Sequence, residues 1–222
     1  MPIVELHSHS FASYDSRLKL RDIVSACREK GIAKLALTDH HSIRGALELR
    51  ALAPELVIVG EEVMTTQGEL LAYFVEEEVP RGLTAQEAIA RLKAQGAVIS
   101  VPHPFDRWRS GAWQEADLIA ILPWVDAIEV FNSRCVFPDD NARALTFAQQ
   151  HGKLRSVGSD AHYRLELGHA VLKMPHLPNT AAELLAGLAQ AEALCRLSSP
   201  FVHTLNMFAW TKREVTRAAA KK

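Results

Sequence analysis

The chain has 222 residues, 48% of them hydrophobic, with 25 lysines and arginines against 26 aspartates and glutamates. That is enough apolar material for one large or two small folded domains, and too much for a disordered chain. The near-neutral balance gives no general drive toward nucleic acid or a membrane surface, a local basic groove aside, and no apolar run approaches the roughly 20 residues of a membrane span.

In chain order, the apolar run Ile3-Val4-Glu5-Leu6 reads as a strand that ends on His7-Ser8-His9-Ser10. A polar loop over 10–19 follows, then a helix over 20–30 with Ile23, Val24 and Cys27 on one face and Gly31 as its stop. A short buried strand over 34–38 leads to Asp39-His40-His41, and 43–52 is helical. A strand over 56–59 is followed by Gly60-Glu61-Glu62, and Gly68 sits in the turn of a hairpin between 63–66 and 70–75. Thr84 N-caps a helix over 84–95, with Glu87 three residues on and Gly96 after its end. The strand over 97–101 runs into Pro102-His103-Pro104. Residues 117–122 are helical, and 126–131 is a strand that leads to Asn132-Ser133-Arg134. A helix over 139–151 is closed by Gly152, and a strand over 154–157 leads to Gly158-Ser159-Asp160-Ala161-His162. Further strands are expected at 170–174 and 193–197, with a helix over 181–191 between them.

Strand, polar loop and helix, repeated along the chain, is the pattern of an α/β domain with a parallel sheet. No Pro/Gly/Ser linker divides it, so 1–200 is read as one domain and 201–222 as a C-terminal extension packed on it or trailing from it. His203, Phe201, Phe208 and Trp210 belong to that docking segment, and the basic tail 212–222 reads as a solvated helix end. The three cysteines, Cys27, Cys135 and Cys195, form no disulfide framework and suit a reducing cytoplasm, as does an N-terminus without a signal pattern.

Six successive strand ends carry His7 and His9, His40, Glu62, His103, Asn132, and Asp160 with His162. In an extended backbone, residues i and i+2 share a face, so His7 and His9 can aim at one point, as can Asp160 and His162. An open sheet would string these groups along a line. A closed barrel gathers them in one ring at the carboxyl ends of its strands, so the ligand pattern itself favours a barrel. Imidazoles and carboxylates without paired thiolates suit catalytic zinc, manganese or iron. Eight candidates (His7, His9, Asp15, His40, Glu62, His103, Asp160 and His162) exceed the needs of one ion and suit two or three, with Glu62 bridging. Clustered cations lower the pKa of bound water and neutralise phosphoryl charge, which points to phosphoester hydrolysis.

The ordered motifs Glu5-Leu6-His7-Ser8-His9-Ser10, Leu37-Thr38-Asp39-His40, Gly60-Glu61-Glu62-Val63, Val101-Pro102-His103-Pro104 and Gly158-Ser159-Asp160-Ala161-His162 resemble those of the PHP (polymerase and histidinol phosphatase) family. The resemblance spans roughly residues 1–200. It implies a distorted (β/α)7 TIM-like barrel and a trinuclear site. In that site His7, His9, Glu62 and Asp160 would hold one ion, Asp15, His40 and His162 a second, and Glu62 with His103 a third. The family often has Asp where Glu5 stands, and His followed by Asp or Asn where His40-His41 stands. Glu69 takes the place of a further histidine at the third ion. The short spans from Glu62 to His103 and from His103 to Asp160 leave no room for an inserted lid domain, so an open pocket is expected.

The expectation is therefore a cytoplasmic metal-dependent phosphoesterase acting on a small phosphorylated metabolite or nucleotide. His7, His9, Asp160 and His162 form its catalytic core. Arg134, with a forked donor set suited to phosphate, is a substrate-binding candidate, as are Asn132 and His169. Glu61 should point away from the face of Glu62 by strand alternation. His41 is read as a supporting or solvent-facing residue, and His151 and His176 as bland. The alternatives are an exonuclease on short oligonucleotides, with nucleic acid as substrate only, and a non-catalytic metal-stabilised module.

Overall fold

The computed structural model of the chain describes residues 1–109, 111–199 and Val202. Apart from Val202, the expected extension over 201–222, with Phe201, His203, Phe208 and Trp210, lies outside the described residues. No helix among the described residues is long and apolar enough to cross a membrane.

The chain runs β1 (Ile3–Glu5), α1 (Leu20–Lys30), β2 (Ile32–Leu37), α2 (Arg44–Leu52), β3 (Val57–Met64), β4 (Glu69–Tyr73), α3 (Ala85–Ala94), β5 (Val98–Val101), α4 (Glu115–Ile121), a 3-10 turn (Leu122–Trp124), β6 (Ala127–Asn132), α5 (Pro138–Gln150), β7 (Leu154–Gly158), β8 (Ala170–Lys173), α6 (Ala181–Leu188) and β9 (Glu192–Cys195). Local chemistry sets several boundaries. Gly31 takes φ 68° after α1, and its N–H reaches the carbonyls of Arg28 and Cys27, as a left-handed cap should. Reciprocal capping boxes start α3 at Thr84 with Glu87 and α6 at Thr180 with Glu183.

The sheet order is β7-β6-β5-β4-β3-β2-β1-β8-β9. It is not all parallel, as the repeated pattern suggested. The β1-β2-β3 and β5-β6-β7 sets are parallel, but β4 runs antiparallel between β3 and β5, and β8 and β9 are antiparallel to their neighbours. For β4 the expected hairpin is the cause, because a tight turn at Gly68 reverses the chain within the sheet. Past its last strand residues, β1 meets β7: Ser8 bridges Ala161, His9 N–H donates to Ala161 O at 2.9 Å, and Asp160 N–H donates to His7 O at 2.9 Å. β8 pairs with the opposite end of β1. The result is a distorted, nearly closed TIM-like barrel of the strands β1–β7.

Strand alternation builds two apolar layers. Val4, Leu6, Ala36, Ile58, Leu71, Tyr73, Val98, Ala127 and Val157 fill the barrel, and Met174, Leu184 and Leu188 join them at its amino end. Their strand neighbours Leu35, Leu37, Val57, Val59, Leu70, Ala72 and Ile99 face the outer layer, with Ile23 of α1, Leu49 of α2 and Leu92 of α3. On three strands the inward parity of the apolar core reaches a carboxylate at the carboxyl mouth or hairpin: Ile58 to Glu62, Leu71 to Glu69, and Ala127 to Glu129.

Glu62 corrects one expectation. It does not follow the end of a strand but lies inside β3, which runs unbroken through Gly60-Glu61-Glu62. Val57 and Val59 pair with β2, while Gly60 to Met64 pair with β4. The strand gains β4 as a partner rather than stopping, and Glu62 still bridges His40 just past β2. Gly60 is the point of close approach, since a Cβ there would sit 2.7 Å from Ala72 O and 2.8 Å from Thr38 Cγ2.

Candidate metal centre

His7 and His9 leave β1 side by side, with their Nε2 atoms 3.2 Å apart. Glu62 reaches in from β3. Its Oε2 lies 3.2 Å from His9 Nε2, 3.3 Å from His40 Nδ1 and 3.4 Å from His7 Nε2, and its Oε1 lies 3.2 Å from His103 Nε2. Asp160 Oδ1 has His9 Nε2 at 3.2 Å, His162 Nδ1 at 3.5 Å and His7 Nε2 at 3.6 Å, yet makes no hydrogen bond. Asp15, on the polar loop, stands 2.8 Å from His162 Nε2 and 3.4 Å from His40 Nε2. Glu69 of β4 is 3.7 Å from His103 Nε2.

All nine residues expected as metal ligands therefore converge. Their donor atoms fall into four overlapping groups, each within 4.8 Å: His9, Asp15, His40 and His162; His7, Glu62 and His103; His7, His9 and Asp160; and His40, Glu62 and Glu69. Facing imidazole nitrogens and a buried, unbonded carboxylate oxygen make poor pairwise hydrogen bonds. They suit donors that share a cation, so the residues fit the ions that the sequence implies.

The electrostatics agree. Burial alone would lower the pKa of His7, but Glu129, Asp160 and Glu62 hold it well above the usual imidazole range. Burial works against the charge on His40 as well, yet Glu62 and Asp15 raise its pKa to about 10. Burial likewise opposes ionisation of Glu62, and the neighbouring histidines keep its pKa well below the ordinary range. Glu69 is raised by burial and by Glu62 beside it. His162 is lowered to about 4, by burial first and then, with Asp15 opposing, by the charges of Arg134 and His9. Four carboxylates interleave with five imidazoles in the pocket, the donor set of a cation receptor.

Supporting bonds aim the ligands. The main-chain carbonyl of Asp160 lies 2.8 Å from His162 Nδ1 and takes that N–H, which leaves Nε2 toward Asp15. Asn132 is buried and engaged internally: its amide donates to Glu129 Oε2 at 3.0 Å and Asp160 Oδ2 at 3.4 Å. Arg134 is buried too, with Nε 3.5 Å from Glu166 and Nη2 3.5 Å from Val202 O. His169 is outside the four groups, and its Nδ1 lies 2.9 Å from Ser198 Oγ. Glu61 points away from Glu62 as alternation requires, and accepts from Val79 N–H at 3.0 Å. Glu5 accepts from Ser159 and Gly168 N–H behind the site. His41 follows His40 at φ 52°.

Two residues that hold the ligands in place went unread in the sequence. Glu129 of β6 lies 2.9 Å from His7 Nδ1 and accepts His103 N–H at 2.9 Å. A charged residue at an inward position of an apolar strand was its available signal. Arg109 bonds Asp160 Oδ2, lies 3.4 Å from His103 Nε2, and is anchored to Asp106 at 3.1 Å. It sits in an aperiodic turn, where no local pattern marks it. His103 (φ 27°) and Asp160 (φ 52°) hold left-handed backbones that non-glycine residues rarely take. Such strain gathers where function demands a particular side-chain direction.

A TIM-like barrel whose carboxyl mouth collects imidazoles and carboxylates defines a metal-binding protein of the α/β barrel class. The chain belongs to the PHP domain family: residues 5–89 match the PHP domain and 138–193 the PHP-associated region. It is 34% identical over 177 residues to the uncharacterised protein MJ0417 of Methanocaldococcus jannaschii, covering 78% of this chain and 71% of that one. Among solved structures, PsfC from Pseudomonas syringae superposes with a TM-score of 0.69 at 17% identity, covering 95% of this chain and 98% of that one. A candidate metal-dependent phosphoesterase from Bifidobacterium adolescentis gives 0.63 at 17%, over 84% and 96%. The lesion-specific endonuclease EndoQ from Pyrococcus furiosus gives 0.66 at 16%, over 90% of this chain and 59% of that one.

Proposed function

We propose that the chain is a metal-dependent phosphoesterase acting on a small phosphorylated metabolite or nucleotide. Two or three divalent ions (zinc, manganese or iron) would be held by His7, His9, Asp15, His40, Glu62, Glu69, His103, Asp160 and His162. The observation that carries this reading is Asp160 Oδ1, buried without a hydrogen bond while three imidazole nitrogens stand within 3.6 Å. Bound ions would supply Lewis-acid charge for the phosphoryl group and activate the attacking water.

The chain's own groups do the rest. Glu129 and the Asp160 carbonyl fix the rings of His7 and His162, and Asn132 steadies Glu129 and Asp160. Arg109 is partly exposed at the rim of the cluster and is the cation best placed to grip a phosphoryl oxygen. Arg134, the candidate for that part in the sequence, has its guanidinium beside Glu166 and Val202 O.

The test is turnover of p-nitrophenyl phosphate and of its bis ester with manganese or zinc. His9→Ala and Asp160→Ala should each lose about a hundredfold or more, beyond the cost of removing a supporting residue. No turnover by a folded, metal-loaded protein would favour a non-catalytic module. Turnover of oligonucleotides alone would favour the exonuclease.

A further inference from the structure

The turn that carries Arg109 also presents the most exposed tryptophan among the described residues. Asp106 is buried, and its two carboxylate oxygens hold consecutive residues. Oδ1 accepts Trp108 N–H at 3.0 Å, and Oδ2 accepts Arg109 Nε at 3.1 Å. Arg109 is thereby turned inward to Asp160 and Trp108 outward, with 68% of its surface exposed. The indole does not stand alone. Phe137, on the residue before α5, lies 6.4 Å from it between ring centroids. The Arg107 guanidinium covers the Phe137 ring at 4.7 Å and is itself held by Asp140 at 3.0 Å.

An exposed indole offers a flat apolar face whose burial by a ligand is favourable. A docked protein would be expected to use a broad apolar patch. Here the exposed aromatic surface is small, flanked by two arginines, and one residue along the chain from a guanidinium in the candidate metal centre. The occupant that fits is a flat aromatic group joined to an anion that sits in that centre. We propose that Trp108, propped by Phe137 and Arg107, is a stacking subsite for a nucleobase. The preferred substrate is then a nucleoside phosphate or the end of a short oligonucleotide, rather than a phosphorylated sugar. This rests on the phosphoesterase reading and narrows it.

Stacking of a base on an aromatic side chain is worth about ten- to a hundredfold in binding. The experiment compares adenosine monophosphate with ribose 5-phosphate, which lacks the base, on the manganese-loaded protein. Trp108→Ala should raise KM for the nucleotide by about ten- to a hundredfold with kcat unchanged. It should leave ribose 5-phosphate kinetics as they are, and Trp108→Phe should restore most of the loss. A dinucleotide carrying a terminal phosphate, assayed alongside, tells a free nucleotide from a strand end. Equal effects on nucleotide and sugar phosphate, or no effect on either, would overturn the proposal. If neither compound is turned over, the phosphoesterase reading fails separately, and equilibrium binding decides the subsite. Tighter binding of the nucleotide that depends on Trp108 sustains it, and equal binding of both compounds refutes it.

Discussion

Glu129 shows how one buried side chain can organise a site without touching its centre. It holds the ring of His7 by Nδ1, the backbone of His103 and the amide of Asn132. Accepting the hydrogen bond from His7 Nδ1–H leaves Nε2 as the lone-pair donor, the tautomer a metal requires. Glu129→Gln is therefore expected to weaken metal binding by about ten- to a hundredfold while the chain stays folded. Calorimetric titration with zinc checks this, and unchanged affinity would remove Glu129 from the site. Glu129 and His7 approach so closely only because residue 158 is glycine. A Cβ there would lie 2.1 Å from Glu129 Oε1 and 2.4 Å from His7 Cβ. Gly158→Ala should cost about 1–3 kcal/mol of stability through overpacking, read from the urea midpoint, and lower zinc affinity with it. His169 supplies a pH dependence. Burial, with Arg196 and Lys30 nearby, lowers its pKa from 6.5 to about 4. The folded chain then binds this proton less readily than the unfolded chain. The neutral ring's contribution to stability is full above pH 6.5 and is lost as the pH falls toward 4. His169→Gln should lose less stability than the parent chain between pH 7 and pH 5, and identical losses would contradict the shift.

At the scale of elements, the sequence was most legible where period and punctuation agreed. Thr84, Glu87 and Gly96 frame α3, and the apolar residues between them fall on one buried face. Thr84→Ala removes the cap and is expected to cost about 1 kcal/mol. That is about 2–4 °C in thermal midpoint for a chain of this size. Zinc affinity should not change, because α3 packs on the outer layer, and a change in affinity would show that the helix positions the site. The hairpin was legible from Gly68, but its consequence was not. Whether β4 extends the sheet or interrupts it depends on which strand it pairs with next, and that pairing with β5 is a long-range event. Gly60-Glu61-Glu62 read as a break for the same reason. Local polarity said stop, and the register with Leu71 and Tyr73 carried the strand on. Arg109 and Trp108 were invisible because turn geometry set by Asp106 has no periodicity to read.

Across the whole molecule, the barrel and the cluster depend on each other. Ligand candidates come from the ends of β1 and β2, from β3 and β4, from the turn after β5 and from the segment after β7. β1 and β7 meet through the backbones of His7, Ser8, His9, Asp160 and Ala161, which also carry the ligands. The i, i+2 spacing of His7 with His9 and of Asp160 with His162 was readable because it follows from strand geometry alone, and their convergence needed closure. The same coupling predicts a mechanical effect of metal. Clustered carboxylates repel one another, and cations shared among β1, β3, β5 and β7 would fasten the mouth. Ligands that bind only the folded chain stabilise it by about 2.7 kcal/mol at a hundred times their dissociation constant. For a domain of this size that is about 5–11 °C. Excess zinc or manganese should raise the thermal midpoint by that order, and a chelator should reverse it. Asp160→Ala should abolish most of the rise, while Thr84→Ala, with a lower starting midpoint, should keep it in full. A folded parent chain whose midpoint ignores both metals would mean that these side chains meet without forming a receptor for cations.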